Sequence, residues 1–512
     1  MPYFAVKELN KKLTLGVNYT GGFFMSKRIT ALLCVFSVVF CTLAGRCAYI
    51  SLGNSYNVSD SYNSYTVNIG TLYTNIYDRT GRKLNNYETQ KVAVIRPNEK
   101  ALSELDKLFT ESEIDEITEE LKKGYPIVRQ TDKDADLKYI DVYEKIVENS
   151  DNMLARHMLD RTYGGVENWL GDEIGSLSVN FTVDALGRLL AGDEGKVIDN
   201  NYSSVDGIVI SLDSTLQKIA EDASSSIPKG AVVIMDIENS RILAAVSRGD
   251  DYVNRALSSY AIGSIFKLVV SACAIENGIT PLYICQSDIT VGDTKFHCQK
   301  NTSHGLQSIS DALANSCNCY FVNLALRLGS EKLYETAKNF GFGEYFNILN
   351  DKRYSAGNFP ALSTLKNSKG QLALIGFGQG ELTDSPVHFA SVISCIANGG
   401  SYLPPTLDIF DAPENRIISK NTSDKLMKYM NNVVQNGTGK NAYYKNMTAG
   451  KTATAQSGIY KNGVEILNTW FAGFYPYNNP EYAIVVMQEN GDSGAGDCCP
   501  VFRDIVEKID KL

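Results

Sequence analysis

The pattern of hydrophobic and polar positions divides the chain into three stretches of different character. The first contains an uncharged, mostly apolar run from Ile29 to Gly45, preceded by Lys27 and Arg28. A helix over this run is about 26 Å long at about 1.5 Å per residue, close to the hydrocarbon thickness of a bilayer. Basic residues cluster upstream of it, which by the positive-inside rule places the N-terminus in the cytoplasm. We therefore predict a transmembrane signal anchor over residues 29–50, with residues 1–28 in the cytoplasm and the rest of the chain outside the cell.

A cleaved signal peptide and a buried helix are the alternative interpretations of this run. No A-x-A cleavage site follows it, and Arg46 separates the lipoprotein-like Leu43-Ala44-Gly45 from Cys47. No other segment of the sequence is suited to pack such a helix against a core. These observations favour an uncleaved anchor.

The second stretch, residues 51–205, has no pattern that indicates chemistry. It begins with a spacer rich in Ser, Asn and Tyr over residues 51–70 and then becomes charged. Glu104 to Lys123 carries apolar residues at helical spacing, which predicts an amphipathic surface helix. We expect a spacer followed by a separate domain without catalytic residues.

The third stretch, residues 206–512, predicts one α/β domain. Short apolar runs near both of its ends predict strands, and apolar segments between them predict helices. Strands at both ends of a helical middle predict that the two ends share one sheet. The predicted strands are Ile208–Leu212, Ala231–Met235, Trp470–Phe474 and Tyr482–Met487, and the predicted helical segments are Gln217–Ala223, Ser264–Asn277 and Asp311–Leu328.

Composition and charge exclude several classes of protein. Hydrophobic residues make up 44% and charged residues 21% of the chain, which excludes wholesale disorder. The 49 basic residues are outnumbered by 58 acidic ones and form no long run, so nucleic acid is not an expected partner. The four histidines form no HExxH motif, and no metal site is predicted. The cysteines suggest no disulfide framework, and Cys285 and Cys298 are compatible both with a bridge and with free thiols.

The strongest catalytic signal is a serine and a lysine one helical turn apart. Ser264 and Lys267 open an apolar stretch that ends at Gly278, and spacing of i to i+3 puts both side chains on one helix face. Burial of this helix lowers the pKa of its lysine, which can then accept the serine proton near neutral pH. Ser363 and Lys366 have the same spacing but lie in a polar stretch, which predicts a surface position.

Two further motifs supply groups suited to a peptide substrate. Ser316-Cys317-Asn318 interrupts the last of the predicted helical segments, between the helical Asp311 to Ala314 and the mostly apolar Cys319 to Leu328. In such a loop its serine can pass a proton to a leaving amine and its amide can hold a substrate backbone. Lys451 to Thr454 lies in a predicted strand, where Lys451 and Thr452 suit a carboxylate and the strand edge suits an extended peptide. Each motif alone is common, but together they indicate serine acyl-transfer chemistry.

These motifs resemble the SxxK, SxN and KTG series of penicillin-binding proteins and serine β-lactamases. The resemblance includes Asn254-Arg255-Ala256 before the first motif, Gly437-Thr438-Gly439 before the third, and Trp470 to Gly473 after the third. Near the predicted anchor, Ile76 to Gly81 is similar to the segment that opens the pedestal domain of the class B, monofunctional branch. The resemblance covers residues 70–510.

The fold implied by this resemblance is α/β, with an antiparallel sheet flanked by helices, as in serine β-lactamases. Residues 206–512 would form the penicillin-binding transpeptidase domain, and residues 51–205 would hold the spacer and a pedestal, dimerisation-like domain. The latter are too few and too unlike for the glycosyltransferase domain of the bifunctional branch. The resemblance therefore implies a separate SEDS-type glycosyltransferase partner in the membrane.

The activity implied by the resemblance is that of a D,D-transpeptidase, which cross-links peptidoglycan stem peptides ending in D-Ala-D-Ala and is inhibited covalently by β-lactams. No metal or organic cofactor is implied. Ser264 would be the nucleophile, Lys267 its base and Ser316 the proton relay to the leaving D-alanine. The backbone N–H groups of Ser264 and Thr454 would form the oxyanion hole.

Substrate binding is implied for the remaining motif residues. Asn318 would orient the donor peptide, and Lys451 and Thr452 would hold its terminal carboxylate. Ala453 stands where the family has glycine, and its methyl group is expected to slow acylation without abolishing it. Ile262 likewise replaces the usual proline before the catalytic Gly-Ser pair, which removes no catalytic side chain.

Two alternatives to a transpeptidase stay open. A β-lactamase or β-lactam sensor would share the motifs, but a hydrolase needs a base for the deacylating water, and the sequence identifies none. A catalytically weak scaffold of the cell-wall or spore-wall machinery is motivated by Ala453. The complete set of motif serines, lysines and asparagine argues against it.

Overall fold

A computed structural model describes residues 27–52, 63–149, 153–171, 173–184, 186–410 and 413–512. The α-helices of these residues are α1 (Lys27–Leu52), α2 (Glu99–Leu102), α3 (Glu111–Leu121), α4 (Arg156–Leu159), α5 (Val166–Leu170), α6 (Ser214–Ala223), α7 (Lys267–Glu276), α8 (Ile309–Ala314), α9 (Asn318–Leu328), α10 (Ser330–Asn339), α11 (Leu362–Asn367), α12 (Lys369–Gly376), α13 (Pro386–Ala397), α14 (Lys420–Asn436) and α15 (Cys499–Ile509).

The β-strands of the same residues belong to several small sheets and one larger one. They are β1 (Ser64–Tyr73), β2 (Asn75–Tyr77), β3 (Tyr87–Ile95), β4 (Ile127–Thr131), β5 (Ile140–Glu148), β6 (Glu173–Thr182), β7 (Lys196–Asn200), β8 (Gly207–Val209), β9 (Gly230–Asp236), β10 (Ile242–Arg248), β11 (Tyr260–Ala261), β12 (Tyr283–Cys285), β13 (Asp288–Val291), β14 (Thr294–His297), β15 (Gly305–Gln307), β16 (Tyr345–Leu349), β17 (Lys352–Ser355), β18 (Gly357–Asn358), β19 (Thr383–Asp384), β20 (Ala449–Lys461), β21 (Val464–Tyr475) and β22 (Tyr482–Glu489).

Helix α1 contains the predicted anchor and extends slightly beyond it at both ends. Its apolar window, Lys27–Tyr49, has a mean hydropathy of 2.0 and is not buried against any described residue. Large side chains such as Phe36 and Phe40 are exposed around the helix. This excludes a core helix and fits a single-pass membrane anchor. The predicted cytoplasmic segment before Lys27 lies outside the described residues.

The region before residue 206 contains two three-stranded antiparallel sheets, β1–β6–β7 and β4–β3–β5. Successive residues of β3 point to opposite faces, so Val92 and Val94 enter one hydrophobic cluster and Ala93 and Ile95 enter another. The spacer predicted over residues 51–70 is wrong for its last part, because β1 begins at Ser64. Residues 53–62 of the predicted spacer lie outside the described residues.

The amphipathic helix predicted over Glu104 to Lys123 is shorter in the structure. Helix α3 begins at Glu111 because Thr110 caps it, its backbone N–H donating to the Glu113 carboxylate at 2.8 Å. Residues Leu105–Lys107 form a separate 3-10 turn. The apolar face of α3 is buried through Ile117, as an amphipathic pattern requires.

A parallel pair of short strands joins this region to the C-terminal domain. Strand β2 pairs with β8, with Ile76 opposite Ile208. Beside the pair, the Arg79 guanidinium donates to the Asp213 carboxylate at 2.8 Å. The strand predicted over Ile208–Leu212 is therefore shorter than expected, and it pairs outside the main sheet.

The main sheet of the C-terminal domain has five antiparallel strands in the order β10–β9–β22–β21–β20. Strands β9 and β22 lie near opposite ends of the domain sequence, so the predicted sharing of one sheet by the two ends is confirmed. Helices α7 and α13 are buried with the cluster on one face, and α6 and α15 pack on the other. The predicted antiparallel sheet flanked by helices is confirmed. Strand β20 is its edge strand.

Candidate active site

The three predicted motifs meet at one cavity with a volume of about 380 Å³. It lies where the turn before α7, the loop between α8 and α9, and strand β20 come together. The residues that line it are Ser264, His297, Gln299, Ser316, Asn318, Phe377, Gln379, Thr438, Thr452, Ala453, Thr454, Gln456, Leu467, Ser493, Gly494 and Ala495.

Ser264 lies in a 3-10 turn, Gly263–Phe266, that runs directly into α7. Gly263 has a φ of 57°, and a Cβ built on it would lie 2.9 Å from the Cβ of Ala455 on strand β20. Glycine is therefore required both by the left-handed backbone and by the close approach. This approach holds the half-buried Ser264 at the edge of the sheet, facing the cavity.

Lys267 is fully buried and donates hydrogen bonds to oxygens of the second motif. Its Nζ lies 2.8 Å from the Ser316 carbonyl oxygen, 3.3 Å from the Ser316 Oγ and 2.7 Å from the Asn318 Oδ1. Burial separates the ammonium from water and lowers the pKa of Lys267 to about 8. This is the direction that the sequence predicts for the pKa of this lysine, and a neutral amine is accessible near neutral pH.

Ser316 connects the lysines of the first and third motifs. It lies between α8 and α9 with a left-handed φ of 53°, an uncommon conformation for a residue other than glycine. Its Oγ accepts hydrogen bonds from Lys267 and, at 3.1 Å, from Lys451. A hydroxyl in contact with two amines can pass a proton between them and a group in the cavity.

Asn318 is the first residue of α9, and both ends of its amide are hydrogen bonded. Its Oδ1 accepts from Lys267, and its Nδ2 donates to the His297 carbonyl oxygen at 2.9 Å. The second amide proton of Nδ2 can still donate to a group in the cavity. Asn318 and Ser316 therefore both face the cavity, as predicted for a loop between two helices.

Lys451 lies on the edge strand β20 and is fully buried. Its Nζ donates to the Ser316 Oγ and to the Thr452 carbonyl oxygen, the latter at 2.8 Å. Burial lowers the pKa of Lys451 well below its usual range, and the charge of Lys267 lowers it further. Neither lysine forms an ion pair with an acidic side chain of the described residues. Two buried amines without an acidic partner favour an anionic ligand.

Thr452 has a partner that the sequence analysis did not assign to the site. Its hydroxyl lies 2.6 Å from the hydroxyl of Thr438, which follows α14. Both threonines line the cavity beside Lys451. The two hydroxyls and the ammonium form a set of donors suited to one carboxylate.

Ala453 and Thr454 continue strand β20 along the cavity. Ala453 is only 3% exposed and belongs to the main hydrophobic cluster, so its methyl group takes up little of the open space. The Thr454 hydroxyl accepts a hydrogen bond from the Gly494 backbone N–H at 3.4 Å. Gly494 is needed there because a Cβ on it would lie 2.3 Å from the Trp470 carbonyl oxygen.

Several residues that line the cavity were not predicted from the sequence to be site residues. Thr438 belongs to a Gly-Thr-Gly segment typical of the resemblance, but its partner becomes visible only in the structure. Ser493 to Ala495 follow β22 and lie at the start of the π-helical turn Gly494–Cys498, which leads into α15. Their approach to β20 depends on long-range packing.

Cys285 and Cys298 are free thiols in the structure, with their Sγ atoms 3.6 Å apart. The sequence is compatible with a disulfide bridge and with free thiols, and the structure has free thiols. Cys317, the middle residue of the second motif, belongs to the same cluster, with its Sγ 3.7 Å from that of Cys298. His304 is the fourth member of this cluster, with its Nδ1 3.5 Å from the Cys285 Sγ. In the sequence the four residues have the spacing C-x12-C-x5-H-x12-C.

The fold and the contacts of Lys267 and Lys451 with Ser316 are those expected of penicillin-recognising serine enzymes. The sequence profile described as "Penicillin binding protein transpeptidase domain" matches residues 230–507, more than half of the chain. The chain belongs to this family. The resemblance to class B penicillin-binding proteins is confirmed.

Curated relatives match a large part of the chain. Stage V sporulation protein D of Bacillus subtilis is 30% identical, over 64% of this chain and 56% of its own length. Peptidoglycan D,D-transpeptidase MrdA of Acinetobacter baumannii is 28% identical, over 56% of this chain and 51% of its own length. The chain thus spans about half the length of the curated relatives it matches.

A solved structure confirms the fold. Penicillin-binding protein PBP2 of Helicobacter pylori superimposes with a TM-score of 0.67 at 22% identity. The match covers 88% of this chain and 99% of that one. It therefore includes residues on both sides of the β2–β8 junction.

Proposed function

We propose that the protein is a D,D-transpeptidase that cross-links peptidoglycan stem peptides through an acyl-enzyme on Ser264 and is acylated there by β-lactams. The observation that carries the proposal is the contact of Lys267 and Lys451 with one hydroxyl, that of Ser316, at the cavity that Ser264 faces. This network links the nucleophile's base to the group that would hold the substrate's carboxylate.

In the acylation step, the Ser264 hydroxyl attacks the carbonyl carbon of the penultimate D-alanine. Lys267, as the neutral amine, takes the hydroxyl proton, and the carbonyl oxygen becomes the oxyanion. Collapse of this intermediate breaks the peptide bond to the terminal D-alanine. The leaving amine takes a proton through Ser316, so free D-alanine departs and an ester remains on Ser264.

In the second step, an amino group of a neighbouring stem peptide attacks the ester carbonyl. Its proton returns to Ser264 by the same hydroxyl and amine groups as the ester bond breaks. The product is a new peptide bond, the cross-link, and the free enzyme. The backbone N–H groups of Ser264 and Thr454 are proposed as donors to the oxyanion in both steps.

Recognition of the donor peptide is proposed to begin with its terminal carboxylate. Lys451 would supply the positive charge once the carboxylate beside it favours the protonated amine, and the hydroxyls of Thr452 and Thr438 would supply hydrogen bonds. The peptide backbone would pair with the edge strand β20, on the side opposite β21, while Asn318 orients its amide. The two amines at Ser316 support this assignment, since the described residues give them no acidic partner.

The composition of the cavity favours a transpeptidase over a β-lactamase. A hydrolase needs a base that activates the deacylating water, and among the described residues no Asp or Glu lines the cavity. An acyl-enzyme that excludes an activated water persists until an amine arrives. A transpeptidase requires this behaviour, and it makes β-lactams long-lived inhibitors.

We further propose that α1 anchors the protein with its N-terminus in the cytoplasm and its catalytic domain outside. The basic residues upstream of Ile29 support this orientation. We also infer a SEDS-type glycosyltransferase partner, because residues 51–205 are too few and too unlike to form the glycosyltransferase domain of the bifunctional branch. Protease protection of the N-terminus in sealed membranes, with digestion of the C-terminal domain from outside, tests the orientation.

The central experiment is intact-mass measurement of the detergent-solubilised chain with and without penicillin. We expect one stable adduct on the wild type and none on Ser264→Ala. Ser363→Ala is the matched control and should label fully, because Ser363 lies in the exposed helix α11. Full labelling of Ser264→Ala would reject Ser264 as the nucleophile. Rapid loss of the wild-type adduct with release of hydrolysed penicillin would favour the β-lactamase.

A further inference from the structure

Four side chains beside the cavity bring potential metal ligands to one point. They are Cys285 at the end of β12, Cys298 after β14, His304 before β15 and Cys317 at the N-cap of α9. Their three Sγ atoms and one ring nitrogen all lie within 4.8 Å of one another. We call these four residues the thiol cluster.

Three of the six ligand–ligand distances in the thiol cluster match those of a tetrahedral site. Zinc–sulfur bonds of about 2.3 Å and zinc–nitrogen bonds of about 2.0 Å require S···S edges of about 3.8 Å and S···N edges of about 3.5 Å. The measured S···S distances are 3.6 Å for Cys285–Cys298 and 3.7 Å for Cys298–Cys317. The distance from the Cys285 Sγ to the His304 Nδ1 is 3.5 Å. These edges differ little from those of a tetrahedron around zinc.

The environment of the thiol cluster suits thiolate ligands. Cys285, Cys298 and Cys317 are buried, at 0%, 3% and 0% exposure, so the sulfurs are shielded from water. The Tyr320 backbone N–H donates to the Cys317 Sγ at 3.4 Å, and this sulfur caps helix α9. Backbone N–H groups at a helix N-terminus stabilise negative charge on such a ligand.

We propose that the protein binds one zinc ion through the Cys285, Cys298 and Cys317 sulfurs and the His304 Nδ1. Three sulfurs and one imidazole in a closed, buried arrangement define a structural site, and they select a borderline-soft divalent metal over Mg²⁺ or Ca²⁺. Cys319 lies outside the four, with its Sγ 3.4 Å from that of Cys298. It is assigned as a hydrogen-bonding neighbour of the Cys298 ligand.

The zinc site would connect the weakly packed strands β12 and β15 to the second motif. Strands β12 and β15 are short, and Leu282, Ile284 and Leu306 beside or within them are more than 60% exposed. Little hydrophobic contact therefore holds these strands in place. Metal coordination supplies folding free energy where such a core is small.

The same site would position the second motif at the cavity. Cys317 lies between Ser316 and Asn318, so a metal bond to its sulfur restrains the loop whose serine has a left-handed backbone. Asn318 also hydrogen bonds to the His297 carbonyl, next to the Cys298 ligand. The zinc ion would thus act on Ser316 and Asn318 through the backbone, without contact to the substrate.

Metal analysis of the detergent-solubilised full chain, purified under reducing conditions without chelator, tests the site directly. We expect about one zinc per chain in the wild type and at least about a tenfold lower content in Cys298→Ser. Cys395→Ala is the matched control, since Cys395 is a buried thiol in α13, outside the cluster, and it should retain the wild-type content. Equal zinc in Cys298→Ser and wild type would overturn the proposal.

Cobalt substitution keeps the test decisive if Cys298→Ser fails to fold. The wild type is stripped of metal with a chelator, its retained fold is checked by circular dichroism, and Co²⁺ is added. Tetrahedral thiolate ligation gives intense visible bands, and Zn²⁺ should displace them. A folded, reduced chain that takes up neither ion, or that instead contains a disulfide from Cys298 to Cys317 or Cys319, would overturn the zinc site.

The positioning role rests on the proposed function and has a separate measurement. Stripping the metal should slow penicillin acylation at Ser264, and restoring Zn²⁺ should recover it. If zinc binds but acylation is unchanged by its removal, the positioning role is wrong while the metal site stands. If neither form is acylated, the proposed function fails and the metal content still decides the site.

Discussion

The chain contains two serine–lysine pairs with the same spacing in opposite environments. Lys267 is fully buried and has no acidic partner among the described residues, and it donates to Ser316 and Asn318. Lys366 on α11 is 46% exposed and forms an ion pair with Glu331 at 2.6 Å. The predicted surface position of the second pair is confirmed. The comparison shows that burial and neighbours, rather than spacing, distinguish the two lysines.

Exchanging each lysine for alanine should separate the two environments most strongly. Lys267→Ala is expected to slow penicillin acylation by a factor on the order of 10³ or more, because the neutral amine that takes the Ser264 proton is lost. Lys366→Ala should acylate at the wild-type rate. Stopped-flow measurement with a reporter β-lactam gives both rates, and similar rates for the two variants would transfer the role of base to another residue.

The pH dependence of acylation should reflect the lowered pKa of Lys267. The base must be unprotonated, and its pKa is about 8, so acylation should fall as the pH drops below that value. We expect a rise of about tenfold from pH 6 to pH 7 and a plateau above pH 8 to 9. Lys366→Ala should give the same profile. A rate independent of pH across this range would contradict the assignment.

A smaller effect is expected at the partner of Thr452. Thr438→Val keeps the shape of the side chain but removes its hydroxyl, and with it one proposed donor to the substrate carboxylate. Loss of one such hydrogen bond corresponds to about a tenfold lower kcat/KM for acylation. Thr422→Val, a buried threonine on α14 away from the cavity, is the control. An unchanged value in Thr438→Val would remove that residue from the site.

The smallest effect concerns the exposed pair itself. Lys366→Ala removes a surface ion pair and should lower the free energy of unfolding by only about 0–1 kcal/mol. Urea denaturation at low and high salt measures this change, and it should shrink as salt is added. A loss of several kcal/mol would mean that α11 contributes more to the fold than its exposure indicates.

Local patterns were sufficient to predict the elements that carry the site. The apolar stretch after Ser264 predicted the buried α7, and the polar break at Ser316 predicted the loop between α8 and α9. The run of small residues around Lys451 predicted its strand, although the position of that strand at the sheet edge depends on strand order. Side chains within one element are fixed by its periodicity, which is why these predictions succeeded.

Contacts between distant segments could not be predicted in the same way. The Ile208 strand pairs with Ile76, far away along the chain, so its length was set by a partner invisible to local pattern. The Thr438–Thr452 contact and the thiol cluster likewise depend on packing between separate elements. Cys285 and Cys298 were considered only as a pair, because the positions of His304 and Cys317 relative to them follow from the tertiary fold.

The open edge of β20 has a consequence for the solubility of the protein. An unpaired strand edge invites pairing with the edge of another sheet, which leads to aggregation. Here the turn Gly263–Phe266 and strand β11 lie against β20, and a register shift between Gln456 and Tyr460 interrupts its regular ladder. These neighbours and the register shift shorten the regular part of the edge. In the proposed function this short edge would pair with an extended peptide, and the same shortness would disfavour pairing with a second sheet.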